Sequence, residues 1–469
     1  MGHMTEHAEP APVRSTTVRQ RIQHGVGANA YGQLVTVIVQ LVGVPILLHA
    51  WGTQLYGEWL ILFAIPGYLS MVDLGFSQSA GNDMTARVAR GDRAGALSVF
   101  QSLGVLVYGL TAIGLALSAL VIFHLPIHEW MNFESLDADS TRWTLWLLSA
   151  TVLVTLPDGV THAGFRAGGE YAFHYGMYST VRLLQFAGIC VTALAGGGAV
   201  AAAAMFLAIR AVGSLIFAVM VVRRHPWLSY GSEKAEVAEL HRLLSPALAN
   251  MAIPLAQALN LQGMVLVVGA VLGPPAVVVF STLRTLTRLA LQMVLAVAHA
   301  TEPELATAYG ADDRGLMRAL FVHALRGGLW LALFAAAGLA LFGGLILDVW
   351  TQGKVAMHPV LFAWLLGSAV ASVLWYGALI VLKAANRHVR AAWAYVVAAA
   401  AAVGLAVVLL RLTDNLAYAG FALVMMDVTM ALYTFRAAAV LLAECPGPLF
   451  LRSLDPRPVT AFVRSRFPF

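Results

Sequence analysis

Apolar residues run through this chain in stretches long enough to cross a bilayer, which takes about 20 residues. Short polar connections separate them. Twelve such stretches are predicted, at roughly 26–50, 57–79, 96–124, 143–164, 173–194 and 198–222, then 243–272, 274–299, 327–349, 359–384, 392–411 and 416–441. A backbone inside lipid must satisfy its own hydrogen bonds, so each stretch is expected to be a helix. The fold class that follows is an all-α polytopic membrane protein with about twelve transmembrane helices.

Polar residues recur inside these stretches at spacings of three and four, the period that keeps side chains on one helix face. The first span carries Asn29, Gln33, Thr36 and Gln40. The seventh carries Asn250, Gln257 and Asn260, with Pro254 between them. The fourth has Thr151, Thr155, Asp158 and His162, and the fifth Tyr175, Tyr178, Arg182 and Gln185. Span six adds Arg210, span two Asp73 and span twelve Asp427. Asn, Gln and Thr at this spacing also serve as glue between helices. Asp158 and Arg182 lie at comparable depth and are expected to form a structural ion pair, and Asp427 can neutralise another arginine.

The eighth span is the most informative. Ser281, Arg284, Arg288 and Gln292 share one face of a membrane-length helix. An arginine at the centre of a span costs at least about 2.5 kcal/mol. The helix holds no acid to pair with either, and two adjacent guanidiniums repel each other. The planar fork of arginine suits bidentate recognition of phosphate. The stripe therefore points to a carrier of something anionic. Arg284, Arg288, Arg182, Arg210, Asn29, Gln33, Gln40, Asn250, Gln257 and Asn260 are the substrate-binding candidates.

Composition narrows the class. The 469 residues are 59% hydrophobic and only 11% charged, against about 25% charged in soluble proteins. A formal charge of +5 would suit a nucleic-acid partner, but the basic residues follow the membrane instead. Arg14, Arg19 and Arg21 precede the first span; Arg87, Arg90 and Arg93 follow the second. Arg223, Arg224, Lys234 and Arg242 separate the sixth from the seventh. Further clusters follow the eighth (Arg314, Arg318, Arg326) and the tenth (Lys383, Arg387, Arg390). The other side holds Arg142, Lys354 and Arg411, and the acidic loop of Glu129, Glu134, Asp137 and Asp139. Positive residues stay inside, so both termini are expected in the cytoplasm and no nucleic acid is expected. Cys190 lies in a span and Cys445 in the tail, so neither a disulfide nor a metal site is expected. No cofactor is expected either. No phosphate-binding G-x-x-x-x-G-K-[ST] loop occurs, so transport would draw on a proton or sodium gradient, with Asp73, Asp158 and Asp427 as the candidate coupling residues.

The chain also repeats. A shift of 221 residues places Asn29 on Asn250, Gly52 on Gly273, Asp92-Arg93 on Asp313-Arg314 and Phe100 on Phe321. Two six-span halves follow: an N-lobe at 26–222 and a C-lobe at 243–441. They are joined by a linker at 223–242 and flanked by cytoplasmic segments 1–25 and 442–469. Six spans per copy give both halves one orientation, a parallel two-fold with a substrate path between the lobes. Pro66-Gly67-Tyr68 in the second span is a candidate bending point.

Two blocks carry a resemblance. Trp51-Gly52-Thr53-Gln54-Leu55-Tyr56-Gly57-Glu58-Trp59 leads into Pro66-Gly67-Tyr68-Leu69 and Asp73-Leu74-Gly75-Phe76. Ala258-Leu259-Asn260-Leu261-Gln262-Gly263 is followed by Phe280-Ser281-Thr282-Leu283-Arg284-Thr285-Leu286-Thr287-Arg288. Over about 15–440 the chain resembles the O-antigen repeat-unit (Wzx-type) polysaccharide flippases. These belong to the multidrug/oligosaccharidyl-lipid/polysaccharide exporter superfamily. The resemblance implies two six-helix lobes around a central cavity and alternating access. It also implies a polyprenyl-diphosphate-linked oligosaccharide moved to the periplasmic leaflet of the bacterial inner membrane, with Arg284 and Arg288 meeting the diphosphate. Polysaccharide polymerase and chain-length machinery are the partners such flippases imply, besides membrane lipid. A drug/cation antiporter of the same superfamily would favour an acidic cavity. A polymerase- or ligase-type membrane enzyme would need a large periplasmic domain, and the longest such loop is about 125–142. A membrane scaffold would not need polar stripes. No catalytic residue is assigned, and the chain is expected not to be an enzyme.

Overall fold

Gly52 and Gly273, 221 residues apart, turn the chain at the same point of each half. Both combine a left-handed φ with an extended ψ, 69° and −176° at Gly52 and 81° and 175° at Gly273, a conformation that a Cβ disfavours. The computed structural model describes residues 18–68, 71–131, 133–299 and 301–455. Gly52 kinks helix α1 (Val18–Ala64), which therefore holds the first span and the first arm of the second. A 3₁₀ turn at Pro66–Tyr68 breaks the second span where the proline predicts, and α2 (Met71–Ala89) continues it.

The first half goes on through α3 (Arg93–His124), the short α4 (Ile127–Met131), α5 (Ala138–Thr155) and α6 (Asp158–Ala167). The last two are one span broken at Pro157, whose ring removes a helical hydrogen bond. Helices α7 (Tyr171–Leu194) and α8 (Ala199–Arg224) complete it. In the second half, α9 (Val237–Ala258), a π-helical turn at Leu259–Gly263 and α10 (Met264–Leu272) form the seventh span. Then come α11 (Pro274–His299), α12 (Glu302–Gly310), α13 (Arg314–Thr351), α14 (Pro359–Ala384), α15 (Val389–Thr413), α16 (Ala417–Leu441) and α17 (Pro446–Leu454). Among the described residues, ten stretches are long and apolar enough to cross a membrane. One of them, Gln23–Tyr68, holds two spans across Gly52. Helix α11, with its polar stripe, supplies the twelfth crossing. The chain is a multi-pass membrane protein built of two lobes.

The 221-residue repeat is written in the backbone. Gly91 and Asp312 both take positive φ, 83° and 52°. The Asp92 carboxylate then caps α3 by accepting from the Gly95 N–H, and Asp313 caps α13 by accepting from Leu316. Phe100 and Phe321 are both buried. The repeat also accounts for the tail, which resembles nothing by sequence. Leu228 in the linker and Leu449 in α17, again 221 apart, are fully buried in the cores under α3 and α13. The linker is tied to α3 by the Gln101 side chain, which donates to Ser229 O and accepts from Lys234 N. The tail is tied to α13 by Arg326, donating to Arg452 O, and by the Arg318–Glu444 pair at 2.9 Å.

The lobes meet along two seams, α2 against α9 and α1 against α11. Glycines allow both: a Cβ on Gly75 would strike the Ala247 carbonyl, and one on Gly57 the Pro274 carbonyl. At the arginine-rich face the first seam is clasped by a ring of four charges. Arg87 pairs with Asp83 at 2.9 Å and with Glu239 at 2.7 Å, and Arg242 bridges both acids. Burial pushes the Asp83 carboxyl up, but the hydrogen bonds and charges of Arg242 and Arg87 outweigh it, and the pKa ends below its ordinary value. A depressed carboxyl stabilises the seam above its free pKa, and the contribution is lost as pH falls through the lowered value. Arg242 is 46% exposed, so after discounting for screening the ring is worth about 1 kcal/mol. Thermal unfolding in detergent should therefore show Asp83→Asn less stable by about that much at pH 7. The difference from wild type should shrink in acid; a difference that grew in acid would refute the assignment.

Candidate functional site

The polar stripes of the second half converge on one cavity of about 150 Å³ inside the C-lobe. The π turn makes this possible. Its extra residue shifts the register of the seventh span, a device common at functional sites, and places Asn260 opposite α11. Asn260 donates through Nδ2 to the Tyr395 hydroxyl at 3.1 Å and accepts from Arg284 through Oδ1. The Arg284 guanidinium also lies 5.4 Å from the Phe280 ring centroid, a cation–π contact. Arg284 is 8% exposed, yet no carboxylate pairs with it among the described residues. Arg288, one turn further along, lines the same cavity and likewise forms no ion pair among the described residues.

Asp427 of α16 faces these arginines from the far wall, fully held by donors. It accepts from Trp375 Nε1 at 2.9 Å and from the Ser368 hydroxyl, both on α14. Gln257 completes the polar lining. Gln292 lies at the rim and donates to Gln40 of α1 at 3.4 Å, linking the cavity to the first-span stripe across the second seam. Five sequence candidates, Gln257, Asn260, Arg284, Arg288 and Asp427, thus meet in one place. Asn29 and Gln33 are exposed on α1 and do not line this cavity. Asn250 and Asp73 lie in α9 and α2, but their side chains fall outside the described residues.

A second cavity of about 420 Å³ lies in the N-lobe, with Asp158, His162, His174 and Tyr175 in its wall. Its electrostatics differ. Asp158 is paired with Arg210, both nearly fully buried, and the guanidinium sits 4.8 Å from the Tyr178 ring. The expected partner, Arg182, is not the one used. Asp158 opens α6 at the Pro157 break, and the α8 face carrying Arg210 and Ser214 packs against that break, with Ser214 Oγ donating to Val154 O at 3.4 Å. Arg182, on α7, is half-buried and forms no ion pair among the described residues. His162 and His174 share a hydrogen bond between their Nδ1 atoms at 3.2 Å.

Sequence reasoning missed Phe280, Ser368, Trp375 and Tyr395. A signal existed on α14, where Ser368, Ser372 and Trp375 share one face of an otherwise apolar span. Of the two blocks that carried the resemblance, the second supplies Asn260, Arg284 and Arg288 to the cavity, and the first builds the fold. Gly52 makes the turn, Gly57 the seam, and the buried Glu58 carboxylate accepts the N–H groups of Glu134, Ser135 and Leu136 at 2.8–3.0 Å.

The C-lobe cavity can hold a group rich in acceptor oxygens; the N-lobe cavity presents a neutralised pair and two imidazoles. No family model and no curated protein matches the sequence. Solved structures do share the fold. An inward-facing multidrug resistance MATE family transporter of the MOP superfamily superposes with a TM-score of 0.70, at 16% identity over 92% of this chain and 96% of its own. The outward-facing conformation of such a transporter gives 0.60, at 16% identity over 91% and 96%. A MATE structure in the bent conformation gives 0.56, at 16% identity over 93% and 97%.

Proposed function

We propose that this chain is a secondary transporter that works by alternating access between its two lobes, and that its cargo is a polyprenyl-diphosphate-linked oligosaccharide repeat unit. In this reading it sits in a bacterial inner membrane with both termini cytoplasmic, and it passes cargo from the cytoplasmic to the periplasmic leaflet. The observation that carries the proposal is the pair Arg284 and Arg288. Two guanidiniums face one cavity within the bilayer with no carboxylate paired to either among the described residues. Buried cations need anions, and a diphosphate offers acceptors to both forks. The cavity takes the diphosphate; the sugars and lipid would lie along the seams. A proton or sodium ion at Asp158, Asp427 or Asp73 would couple the cycle. Polymerase and chain-length machinery would consume the product.

A second reading is a drug/cation antiporter, and the solved structures that share this fold include multidrug resistance transporters. Asp427 favours it, since a buried carboxylate beside the aromatic groups of Trp375, Tyr376 and Tyr395 suits an organic cation. Proteoliposomes separate the two. The purified chain should move a labelled polyprenyl-diphosphate sugar between leaflets, faster with a proton or sodium gradient. Efflux of a cationic dye with no flipping of the lipid-linked sugar would overturn the flippase reading in favour of the antiporter.

A further inference from the structure

A third cavity, of about 1040 Å³, lies outside both sites described above. It opens at the arginine-rich face, where the α12–α13 junction, the α14–α15 turn and the end of α16 come together. We propose that it is a binding site for the headgroup and glycerol region of an anionic phospholipid from the adjoining leaflet.

The rim is cationic. Arg314, Arg387 and Arg390 line it. Arg387 and Arg390 are exposed and form no ion pair among the described residues. The turn from 383 to 390 adds Lys383 and contains no acid. Of the nearby carboxylates, Glu302 of α12 acts on His388 in this turn but pairs with neither Arg387 nor Arg390 among the described residues, and the others do not close the site. Asp312 is 90% exposed and lies 3.8 Å from Arg314, and Asp313 is spent on capping α13. Arg314 and Arg390 also occupy the first turns of α13 and α15. A cation there is opposed by the helix dipole. Helix chemistry therefore does not explain their position, and the two dipoles add to the positive potential of the rim.

The matching turn of the first half is built differently. There Glu170 begins α7 and pairs with Arg224 at 2.7 Å and His225 at 3.3 Å. Arg224 in turn covers the Phe173 ring. That corner is neutralised within the protein. In the second half no acid stands at the matching position, Ala391, Arg387 and Arg390 form no ion pair among the described residues, and the corner is open. Charge complementarity assigns the missing partner to an anion from outside.

The floor says which anion. Tyr433, Ala437, Val440 and Leu441 line the cavity along one face of α16. Tyr433 is 42% and Val440 79% exposed. The strip descends about 12 Å along the helix from the arginine rim toward the level of the bilayer. A free phosphate would use only the rim. A lipid uses both parts, with its phosphodiester at the arginines and its upper acyl chain on the strip.

Native mass spectrometry of the full chain in neutral detergent tests this, with dioleoylphosphatidylglycerol and dioleoylphosphatidylcholine as probes. The wild type should retain the anionic lipid preferentially. Arg387→Ala with Arg390→Ala should cut its retention by about 30-fold, the expectation for two interfacial arginines. Arg411→Ala, at the other end of α15, should leave it unchanged. Tyr433→Ser, at the end of the strip farthest from the rim, should also reduce retention. Equal retention of the two lipids, or unchanged retention in the double variant, would overturn the proposal. Displacement of the lipid by inorganic phosphate at equal concentration would overturn it in favour of a soluble-anion site.

Discussion

Replacing either Arg284 or Arg288 with alanine is expected to cut transport of a lipid-linked diphosphate by ten- to a hundredfold. A hydrogen bond to a charged group is worth about 1.5–3 kcal/mol when its loss leaves the partner unpaired, and each arginine would contribute one or two. Protein level should hold for Arg288→Ala, since Arg288 is half-buried with no ion pair among the described residues. For Arg284→Ala the cost is one lost donor to Asn260, against relief from burying an unpaired charge. Lysine should rescue in part, because it keeps the charge and loses the fork. Asn260→Ala should mimic a mild form of Arg284→Ala, since Asn260 holds that guanidinium toward Tyr395. The sign of the effect separates the two functional readings. If the cargo is an organic cation, removing both arginines should raise its transport and Asp427→Asn should abolish it. A double alanine variant that still flips the lipid-linked sugar at the wild-type rate would remove the arginines from the mechanism.

The sequence made this cavity visible through helical spacing alone. Ser281, Arg284, Arg288 and Gln292 are helix neighbours, so one span displays the whole stripe. The repeat was legible for the same reason: Gly52/Gly273 and Asp92/Asp313 are residues whose identity is tied to a local backbone conformation, a left-handed turn and a helix cap. What stayed hidden depends on tertiary geometry. The choice of Arg210 over Arg182 for Asp158 follows from which helix packs against the Pro157 break, and depth along a span does not encode that. The π turn at Leu259–Gly263 leaves no compositional mark, yet it brings Asn260 to Arg284. The tail was opaque by itself and is explained by Leu228, its counterpart in the linker, because a burial pattern repeats where the sequence does not. The division between the first two spans, by contrast, was legible: the sequence separates 26–50 from 57–79, and the backbone turns between them at Gly52.

Breaking the Asp158–Arg210 pair should be the most damaging single change in the N-lobe. Both side chains are at most 4% exposed, so removing one leaves the other charged and buried, at a cost of about 3–5 kcal/mol. Asp158→Ala and Arg210→Ala should therefore each lower the thermal midpoint in detergent sharply. Replacing both with apolar residues of similar volume, Asp158→Leu with Arg210→Met, should recover most of the loss, because the desolvation penalty goes with the charges. This double variant also decides whether the pair carries the coupling ion. Asp158 shares a cavity with His162 and His174, so it has neighbours able to pass a proton, but its charge is already matched by Arg210. If the pair only holds α6 to α8, the apolar variant should transport with wild-type dependence on pH and sodium. If Asp158 exchanges its arginine for a proton or sodium ion during the cycle, the variant should be stable and its transport indifferent to the gradient. Stability recovered with ion dependence intact would assign the pair to architecture and leave Asp427 and Asp73 as the coupling candidates.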